Sequence, residues 1–422
     1  MENYFHSVTL DKDLCKGCTN CLKRCPTEAI RVRNGKAKII KERCIDCGEC
    51  IRVCPYHAKK AVTDDFDMIF NYPYKVALPA PTLYGQFSKI DDINTILAGL
   101  KLLGFDEVFE VAGAAEIVTR ETIKLLREGK LKKPVINSAC PAVVRLIRVR
   151  FPNLIDHILP VLSPMDIAAK TARKTISERT GMDPDQIGIF FLSPCAAKMT
   201  SVKDPLGLEK SDVDGIISIT EIVSQLAPII HKITPKEQLT HAGALGISWA
   251  RSGGESDGLG LENSIAVDGI HNVIKVLEDV EDEKLENIDF VECLSCTGGC
   301  VGGPIAVENT FVAKAKIRQL TQKYTSSNIV NVSAGDLYFE EEIEYRPVLN
   351  LGENMRESLI RMEQIEKLYE EMPRLDCGSC GAPSCIALAE DIVKGYAKES
   401  DCIFKLKERL KYLAKEMNQL DD

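Results

Sequence analysis

Cysteine is the residue that most constrains this chain, because 16 of its 17 cysteines fall into four groups of close spacing. Thiolates that are two or three residues apart can bind one metal centre from a single turn of the backbone. Disulfide frameworks of this density are typical of short secreted chains, whereas this chain has 422 residues. The cysteines are therefore predicted to be metal ligands, and they decide what the chain can do.

The composition excludes several other classes of protein. A hydrophobic fraction of 45% is typical of a globular core, and a net charge of −9 argues against nucleic-acid binding. The length favours roughly two to four domains. Neither a signal-like N-terminal segment nor an apolar run of about 20 residues is found in the sequence, so we expect a soluble, cytoplasmic protein without a membrane partner.

The first two cysteine groups repeat one pattern, C-x2-C-x2-C-x3-C-P. The first group is Cys15, Cys18, Cys21 and Cys25, and the second is Cys44, Cys47, Cys50 and Cys54. This internal repeat resembles the bacterial two-cluster ferredoxin. The resemblance implies two [4Fe–4S] clusters, in which Cys54 completes the set of the first three cysteines and Cys25 completes the set of Cys44, Cys47 and Cys50. Structural zinc is the weaker alternative, since each repeat ends in the proline that is typical of the ferredoxin pattern. Residues 1–62 are thus predicted to be an electron-relay domain.

Residues 63–345 alternate short apolar runs with amphipathic helical patterns, which predicts an α/β domain. Strands are predicted at 75–78, 108–111, 134–136, 188–191 and 290–291, and a helix is predicted at 93–103, closed by Gly104. Three of these strands lead into Cys140, Cys195, and the pair Cys296 and Cys300. Because ligands gather beyond the carboxyl ends of strands in open α/β sheets, these four thiolates are predicted to converge from three loops.

The segments around these four cysteines resemble the three signature segments of [FeFe]-hydrogenases. The segments are Ser138-Ala139-Cys140-Pro141, Pro194-Cys195-Ala196-Ala197-Lys198, and Cys296-Thr297-Gly298-Gly299-Cys300-Val301-Gly302-Gly303. The resemblance implies an H-cluster: a [4Fe–4S] cubane on all four cysteines, with Cys300 bridging to a diiron subcluster that carries CO, cyanide and a dithiolate amine. It also implies that Lys198 donates a hydrogen bond to a cyanide, and that Gly302 and Gly303 let the backbone approach the cofactor closely.

The chain departs from this family along the route by which protons reach the diiron site. Ala139 stands where catalytic members carry the proton-relay cysteine, and an alanine methyl cannot exchange protons. Loss of a positioned general acid typically lowers a rate by about 10²–10⁴, so a low turnover is expected. Further out, Glu121 aligns with a family glutamate, whereas Lys124 and Ser201 replace acidic residues.

Three other residues are candidates for a substitute relay. Cys293 lies three positions before Cys296 and would serve if its thiol faced the diiron site, although a buried apolar cysteine is the favoured interpretation. Glu292 and Glu255 are alternative carboxylate relays, and we expect both to be solvated, as most carboxylates are.

After about residue 345 the chain changes character and carries the fourth cysteine group, Cys377, Cys380, Cys385 and Cys402. The C-x2-C-x4-C-x16-C spacing resembles a small iron–sulfur domain of redox complexes, which implies another [4Fe–4S] cluster and leaves zinc as the alternative. Helices are predicted at 353–372 and from Ile386 to Leu420. The second helix either packs onto its own domain or pairs with a partner or with a second copy, which leaves a homodimer open.

The fold class expected from these patterns is α/β, or α+β overall. The expected domains are a ferredoxin-like two-cluster domain at 1–62, a two-lobed α/β H-cluster domain at 63–345, and a small helical iron–sulfur domain at 346–422. The combination of Ala139 with the C-terminal cysteines resembles the sensory branch of the [FeFe]-hydrogenases. It implies slow, reversible heterolytic cleavage of H2 or reduction of protons, with electrons relayed through [4Fe–4S] clusters to a redox or signalling protein.

Two other functions stay open at this point. One is a low-rate catalytic hydrogenase that is linked to ferredoxin. The other is a Nar-like iron–sulfur scaffold protein that lacks the diiron site, against which Lys198 and the Gly302-Gly303 pair argue. The hydrogenase interpretation also implies H2 and protons as substrates, and maturation proteins that install the diiron site.

Overall fold

The computed structural model describes residues 5–87, 89–325, 336–348, 351–352 and 354–420. The chain divides into two compact units. The larger unit comprises Met1–Val8, Ile45–Gly48 and Ala61–Tyr345, and the smaller unit comprises Thr9–Cys44, Glu49–Lys60 and Arg346–Asp422. Most of the predicted ferredoxin-like domain therefore shares one unit with the C-terminal cysteine group, and the borders drawn at 62 and 345 stay predictions.

Short strands alternate with helices through most of the chain. The strands are β1 Val8–Leu10, β2 Ile30–Arg33, β3 Lys36–Ile39, β4 Lys59–Ala61, β5 Tyr74–Pro79, β6 Glu107–Val108, β7 Val135–Ile136, β8 Ile187–Ser193, β9 Gly215–Ser218, β10 Ser264–Asp268 and β11 Phe290–Leu294. The helices are α1 Asn20–Lys23, α2 Glu49–Arg52, α3 Ile93–Leu102, α4 Val111–Glu128, α5 Pro141–Arg150, α6 Pro164–Thr180, α7 Ala196–Lys203, α8 Ile219–Leu226, α9 Ala244–Ser248, α10 Gly254–Leu259, α11 Ile270–Glu281, α12 Thr310–Lys323, α13 Met355–Glu370, α14 Cys385–Val393 and α15 Ile403–Leu420. This mixture confirms the expected fold class.

Two parallel sheets form the centre of the larger unit. One has the strand order β6-β5-β8-β9, and the other has the order β10-β11-β7. Val76 of β5 lies opposite Ile189 of β8, and Ile265 of β10 lies opposite Val291 of β11. All neighbouring strands are parallel, so within each sheet the carboxyl ends lie at one edge. The predicted ligand loops begin at this edge of each sheet: the loop of Cys195 follows β8, and those of Cys140 and Cys296 follow β7 and β11.

Helices cover both faces of the four-stranded sheet, which is why its central strand is apolar throughout. All seven residues of β8 are buried. Phe190 and Leu192 belong to the core that contains α3, whereas Ile189 and Phe191 belong to the core that contains α6. Successive side chains of a strand point to opposite faces, so β8 supplies both cores. A third core joins β7 and β11 to α5 and α11.

Most of the predicted elements of this unit are confirmed. The strands predicted at 75–78, 134–136, 188–191 and 290–291 lie at β5, β7, β8 and β11, and the helix predicted at 93–103 is α3. The strand predicted at 108–111 is too long, because Val111 already begins α4. Apolar residues of α4 recur at helical spacing, and its hydrophobic face is buried from Val111 to Val118.

The smaller unit contains the antiparallel hairpin of β2 and β3. Its two-residue turn is Asn34-Gly35, and both residues have positive φ angles, as a type I′ turn requires. Asp391 of α14 pairs with two arginines of β2: its Oδ2 atom lies 2.8 Å from Nε of Arg31 and 2.7 Å from Nη2 of Arg33. Because Arg31 and Asp391 are both buried, these pairs hold α14 on the hairpin.

The C-terminal helices differ in part from the prediction. The helix predicted at 353–372 is observed as α13, while Glu353 itself lies outside the described residues. The single helix predicted from Ile386 to Leu420 is wrong, because α14 ends before Gly395, whose φ angle of 76° interrupts it, and α15 starts only after Cys402. Among the helices of the described residues, none is long and apolar enough to cross a membrane.

Candidate active site and metal centres

Strand ends of the larger unit bring together the four cysteines predicted to hold the cubane. Cys140 follows β7 and is the N-cap residue of α5, and Cys195 follows β8 and is the N-cap residue of α7. Cys296 and Cys300 lie in the loop after β11. The four thiols are close enough that charge on Cys140, Cys195 and Cys296 raises the pKa of Cys300. The structure thus places four potential thiolate ligands at one point, as the sequence pattern predicts.

The environment of these thiols fits a bound metal cluster. Burial raises the pKa of Cys195 to about 12, and the neighbouring Cys296 and Cys140 add to the rise. Burial also raises the pKa of Cys140 and of Cys300. Without a metal these thiols stay protonated at neutral pH. Iron binds them as thiolates, and its positive charge offsets the cost of ionising them in this site. A set of four cysteines is the usual donor set of a [4Fe–4S] cluster.

A cavity of about 90 Å³ lies next to this cysteine set. Its wall is mostly apolar and includes Cys300, Lys198, Ala139 and Thr82. Cys300 is the exposed member of the cysteine set, and this cavity is what its side chain lines. Within the described residues, the buried hydroxyl of Thr82 has no hydrogen-bond partner, which is costly unless a ligand supplies one. The cavity therefore fits a group with polar atoms that is attached at Cys300.

Lys198 is held at the wall of this cavity by a chain of hydrogen bonds. Its Nζ atom donates to Oγ of Ser163 over 2.9 Å, and the Ser163 hydroxyl is 2.6 Å from Oδ2 of Asp166. Burial raises the pKa of the Asp166 carboxyl, and the charge of Lys198 opposes that rise. Sequence reasoning missed Thr82, Ser163 and Asp166, because their only local signal is the N-cap position of Ser163 before Pro164.

The structure places the proposed relay residues in different surroundings. Ala139 lines the cavity. Cys293 is fully buried among apolar side chains of the third core. Glu121 is hydrogen-bonded to Tyr338 and lies 2.7 Å from Lys124, and the hydroxyl of Ser201 donates to the carbonyl of Ala197. The role of each in proton transfer stays a prediction.

The expectation that Glu255 and Glu292 are solvated is wrong. Their exposed fractions are 3% and 1%, because α10 packs over β11 and covers both carboxyl groups. Glu292 accepts hydrogen bonds from the backbone N–H groups of Gly253 and Ser256, at 3.0 and 2.8 Å. Glu255 accepts one from the side-chain amide of Asn137, at 2.9 Å. The signal in the sequence, two acidic residues beside apolar ones, does not separate a buried pair from two solvated groups.

Burial raises the pKa of both carboxyl groups, and the charge of Glu292 raises that of Glu255 further. Two interacting carboxylates that are shielded from water cannot both be ionised near neutral pH. The pair therefore holds one proton, and we place it on Glu255, because Glu292 has two backbone donors that stabilise its anion. Asn137 connects Glu255 to the segment that carries Ala139 and Cys140.

The glycines of the third signature segment are required for contacts between loops. A Cβ atom on Gly302 would lie 2.1 Å from the carbonyl oxygen of Thr297, and one on Gly303 would lie 2.3 Å from that of Pro194. Such distances are impossible for a side chain, so glycine lets this loop pack against the loop of Cys195. Direct contact of Gly302 and Gly303 with a cofactor stays a prediction.

Two further cysteine sets line cavities of the smaller unit. Cys15, Cys18, Cys21 and Cys54 line one cavity of about 20 Å³, and Cys377, Cys380, Cys385 and Cys402 line another of about 10 Å³. The first set is the one that the ferredoxin resemblance implies, with the fourth cysteine taken from the other repeat. Of the remaining set, Cys47 belongs to the larger unit while Cys25, Cys44 and Cys50 belong to the smaller one, so that cluster stays a prediction.

Comparison with known proteins identifies the family. The family model of the iron-only hydrogenase large subunit, C-terminal domain, matches residues 74–258 and 250–304, which is more than half of the chain. The chain belongs to this family. A 4Fe-4S dicluster model matches residues 7–55, and a model of an Fe–S cluster segment matches residues 372–404. These matches support iron–sulfur clusters at both ends of this hydrogenase-type chain.

The curated relatives include both hydrogenases and assembly factors. The periplasmic [Fe] hydrogenase large subunit of Nitratidesulfovibrio vulgaris is 30% identical over 46% of this chain and 50% of its own length. Iron hydrogenase 1 of Clostridium pasteurianum is 26% identical over 52% of this chain and 44% of its own. The cytosolic Fe-S cluster assembly factor nar1 of Aspergillus flavus is 26% identical over 45% of this chain and 33% of its own length. The chain thus spans about half or less of the length of these relatives.

Among solved structures, a variant of [FeFe]-hydrogenase HydA1 from Chlamydomonas reinhardtii is similar in fold. The TM-score is 0.50 at 16% identity, and the similarity covers 68% of this chain and 97% of the other. At this identity the similarity concerns the fold alone. It agrees with the fold that the family match implies.

The metal content tests the four cysteine sets. Protein reconstituted with iron and sulfide, without the diiron group, is expected to bind about 16 iron atoms per chain, about four for each set. Cys385→Ala is expected to lower this number by about four, as measured by iron and sulfide analysis. A loss of one zinc atom with unchanged iron would instead establish zinc at the C-terminal set. Cys293→Ala, which lies outside the four sets, is the matched control and leaves the iron content unchanged.

The buried carboxyl pair gives a pH dependence of stability. A carboxyl group whose pKa is raised on folding binds more protons in the folded than in the unfolded chain, so stability falls as the pH rises above the usual carboxyl value. Glu255→Gln removes the contribution of Glu255, whose pKa is raised well above its usual value, to this dependence. We expect the variant to unfold at a higher temperature than wild type at pH 7, with the difference shrinking towards pH 4. Glu262→Gln, an exposed position, is the control; equal behaviour of both variants would contradict a buried pair.

Proposed function

We propose that this protein is an H2-sensing [FeFe]-hydrogenase of low turnover. The observation that carries the proposal is the single cavity that Cys300, Lys198 and Ala139 share. Cys300 and Lys198 are the residues that the family resemblance assigns to the diiron group, while Ala139 removes the usual thiol relay. When bound, the H-cluster supplies reversible heterolytic cleavage of H2.

The residues of this chain have defined parts in that reaction. Lys198, held at the cavity wall by Ser163 and Asp166, is positioned to stabilise a negatively charged ligand in the cavity. The hydroxyl of Thr82 is free to donate a second hydrogen bond within the described structure. Apolar side chains such as Met165, Phe191 and Trp249 line the wall and exclude water, which strengthens both contacts.

The pair of Glu255 and Glu292 supplies the proton exchange that Ala139 cannot provide. Its raised pKa values keep a proton available near neutral pH, where an ordinary carboxylate has none to give. The amide of Asn137 links the pair to the segment of Ala139. This route avoids Glu121, Lys124 and Ser201, whose hydrogen bonds lead to one another, to Tyr338 and to Ala197.

A scaffold protein for iron–sulfur assembly is the second candidate, and the similarity to nar1 favours it. In that case the four cysteines of the larger unit would hold a cubane alone. Lys198 at the cavity wall argues for the hydrogenase, because its ammonium group suits an anionic ligand beside Cys300, and a cubane alone brings no such ligand to this cavity. A catalytic hydrogenase that donates electrons to ferredoxin is the third candidate and differs from the sensor in turnover rate.

Proton exchange distinguishes a proton route through Glu255 and Glu292 from the usual route through a thiol at position 139. In matured protein, exchange between H2 and D2O is expected to fall at least tenfold in Glu255→Gln and in Glu292→Gln, because removal of a proton donor typically costs about 10²–10⁴. Ala139→Cys is expected to raise the rate by less than tenfold, because the residues further along the usual route are not restored. Mass spectrometry of HD formation measures both effects.

Glu262→Gln is the control for these variants, and the infrared spectrum of each verifies that the cofactor is loaded. A large increase in Ala139→Cys, with unchanged exchange in both glutamine variants, would assign the proton route to the usual relay instead.

A sensor needs a surface that reports its state, and we propose that α15 pairs with α15 of a second copy. Apolar side chains recur along this helix at alternating spacings of three and four residues, as in a coiled coil, and they are Ile403, Leu406, Leu410, Leu413 and Met417. Their exposed fractions lie between 39% and 66%, so of the two alternatives left open by the sequence, packing of this face onto its own domain is not observed in the described residues.

Charge selects an antiparallel pair of these helices. In an antiparallel arrangement centred between Leu410 and Leu413, Arg409 of one copy lies beside Glu416 of the other, which gives two ion pairs. In a parallel arrangement Arg409 would face Ala414 and gain no partner. The complementary charges therefore point to a second copy as the occupant of this face.

The oligomeric state tests this pairing. Wild-type protein is expected to be a dimer by light scattering, and Leu410→Glu is expected to be a monomer because it places like charges at the centre of the pair. Arg409→Glu is expected to weaken the dimer at least tenfold, and Arg409→Glu combined with Glu416→Arg is expected to restore it. A wild-type monomer at tens of micromolar concentration would contradict the proposal, as would a dimer that survives Leu410→Glu.

A further inference from the structure

The ferredoxin-like repeat contains a buried lysine that the proposed function leaves unexplained. Lys59 is 2% exposed, and its ammonium group has no hydrogen-bond partner within the described residues. It also takes part in none of the ion pairs found there. A buried ammonium group without a partner is among the most costly arrangements in a folded chain, so an anion that the polypeptide itself lacks is needed.

The anion that fits is an iron–sulfur cluster. Lys59 lines the same cavity as Cys15, Cys18, Cys21 and Cys54. A cubane with four thiolate ligands carries a net negative charge, which one further electron increases. Backbone hydrogen bonds from Lys59 and Ala58 and the Lys59 charge lower the pKa of Cys54, although burial acts in the opposite direction. The lysine is therefore close enough to act on charge at these sulfur atoms.

The equivalent position in the first half of the repeat carries no charge. The two halves match closely in structure: Ala29 and Ala58 each donate a backbone N–H to the fourth cysteine of their own motif, over 3.2 and 3.3 Å. Glu28 and His57, just before them, have nearly equal φ angles of 50° and 49°. The next residue is Ile30 in the first half and Lys59 in the second, and both are 2% exposed. The repeat is thus asymmetric at one buried position.

We propose that Lys59 is the internal counter-ion of the cluster bound by Cys15, Cys18, Cys21 and Cys54, and that it raises the reduction potential of this cluster above that of its repeat partner. Reduction adds one electron to the cluster and makes it more negative by one charge, and no bond forms or breaks. A fixed positive charge in a buried site stabilises the reduced form, since neither water nor salt screens it. This cluster is therefore where an electron is retained longest in the ferredoxin-like repeat.

Retention of an electron at one cluster suits a protein that reports a redox state, but the inference depends only on the iron–sulfur clusters. It holds whether the larger unit is a sensor, a catalytic hydrogenase or a scaffold. Failure of the proposed function leaves it intact, and its own failure leaves the proposed function intact.

A redox titration of two lysine variants tests the proposal. Lys59→Met removes the buried charge at nearly equal length, and Lys60→Met removes the next charge, which is exposed and pairs with Asp11 at 3.0 Å. The titration uses full-length protein that carries its cubanes but not the diiron group, and the reduced clusters are followed by electron paramagnetic resonance. Lys59→Met is expected to move one reduction step to lower potential by tenfold or more in equilibrium constant, which is 59 mV or more for one electron. Lys60→Met is expected to change the equilibrium constant of every reduction step by less than threefold.

The proposal is overturned if Lys59→Met retains its full iron content and no step moves, or if Lys60→Met moves the same step equally. If Lys59→Met fails to retain one cluster, the melting temperature of the full-length chain before reconstitution decides. An increase over wild type supports the proposal, because the iron-free chain then benefits from loss of an unpaired charge. A decrease overturns it, because the lysine is then needed by the fold itself.

Discussion

The structure of the larger unit depends on one constraint: four thiols meet where the polypeptide offers their thiolates little stabilisation. Cys140, Cys195, Cys296 and Cys300 come from the ends of strands in two parallel sheets, and burial together with mutual repulsion raises the pKa of three of them. Such a site is unfavourable for the polypeptide alone and becomes favourable when iron binds the thiolates. The glycines that bring the loops together, and the lysine at the adjoining cavity, follow from the same requirement.

The sequence was informative about the cysteines because metal ligands need fixed spacings, and spacing is visible in a linear chain. It also predicted β5, β7, β8 and β11, since buried parallel strands are apolar throughout. It failed where the outcome depends on residues far apart in the chain. Glu255 and Glu292 resemble ordinary surface acids in the sequence, yet α10 covers both carboxyl groups, and Gly253, which caps this helix and donates to Glu292, lies 39 residues from it in the chain. Ser163, Asp166 and Thr82 carry no motif, and only the fold brings them to the cavity.

Buried charge is the feature of this chain that the fold alone does not explain. A carboxyl pair with raised pKa values is hydrogen-bonded to Asn137, close in the chain to Ala139, and the buried Lys59 lines a cavity of the smaller unit together with four cysteines. Each is costly for the fold, which makes a purely structural origin a poor explanation. The proposed proton exchange depends on the carboxyl pair, and the inferred retention of an electron depends on the lysine.

The central claim is that the cavity beside Cys300 holds a diiron group that responds to H2. Infrared spectroscopy of anaerobically matured protein, titrated with H2, tests this claim most directly, because bound CO and cyanide absorb where the polypeptide does not. The account predicts CO and cyanide bands that shift when H2 is added and return when it is removed. Absence of these bands in protein with verified maturation and a full complement of cubane iron would contradict the account and favour the scaffold function.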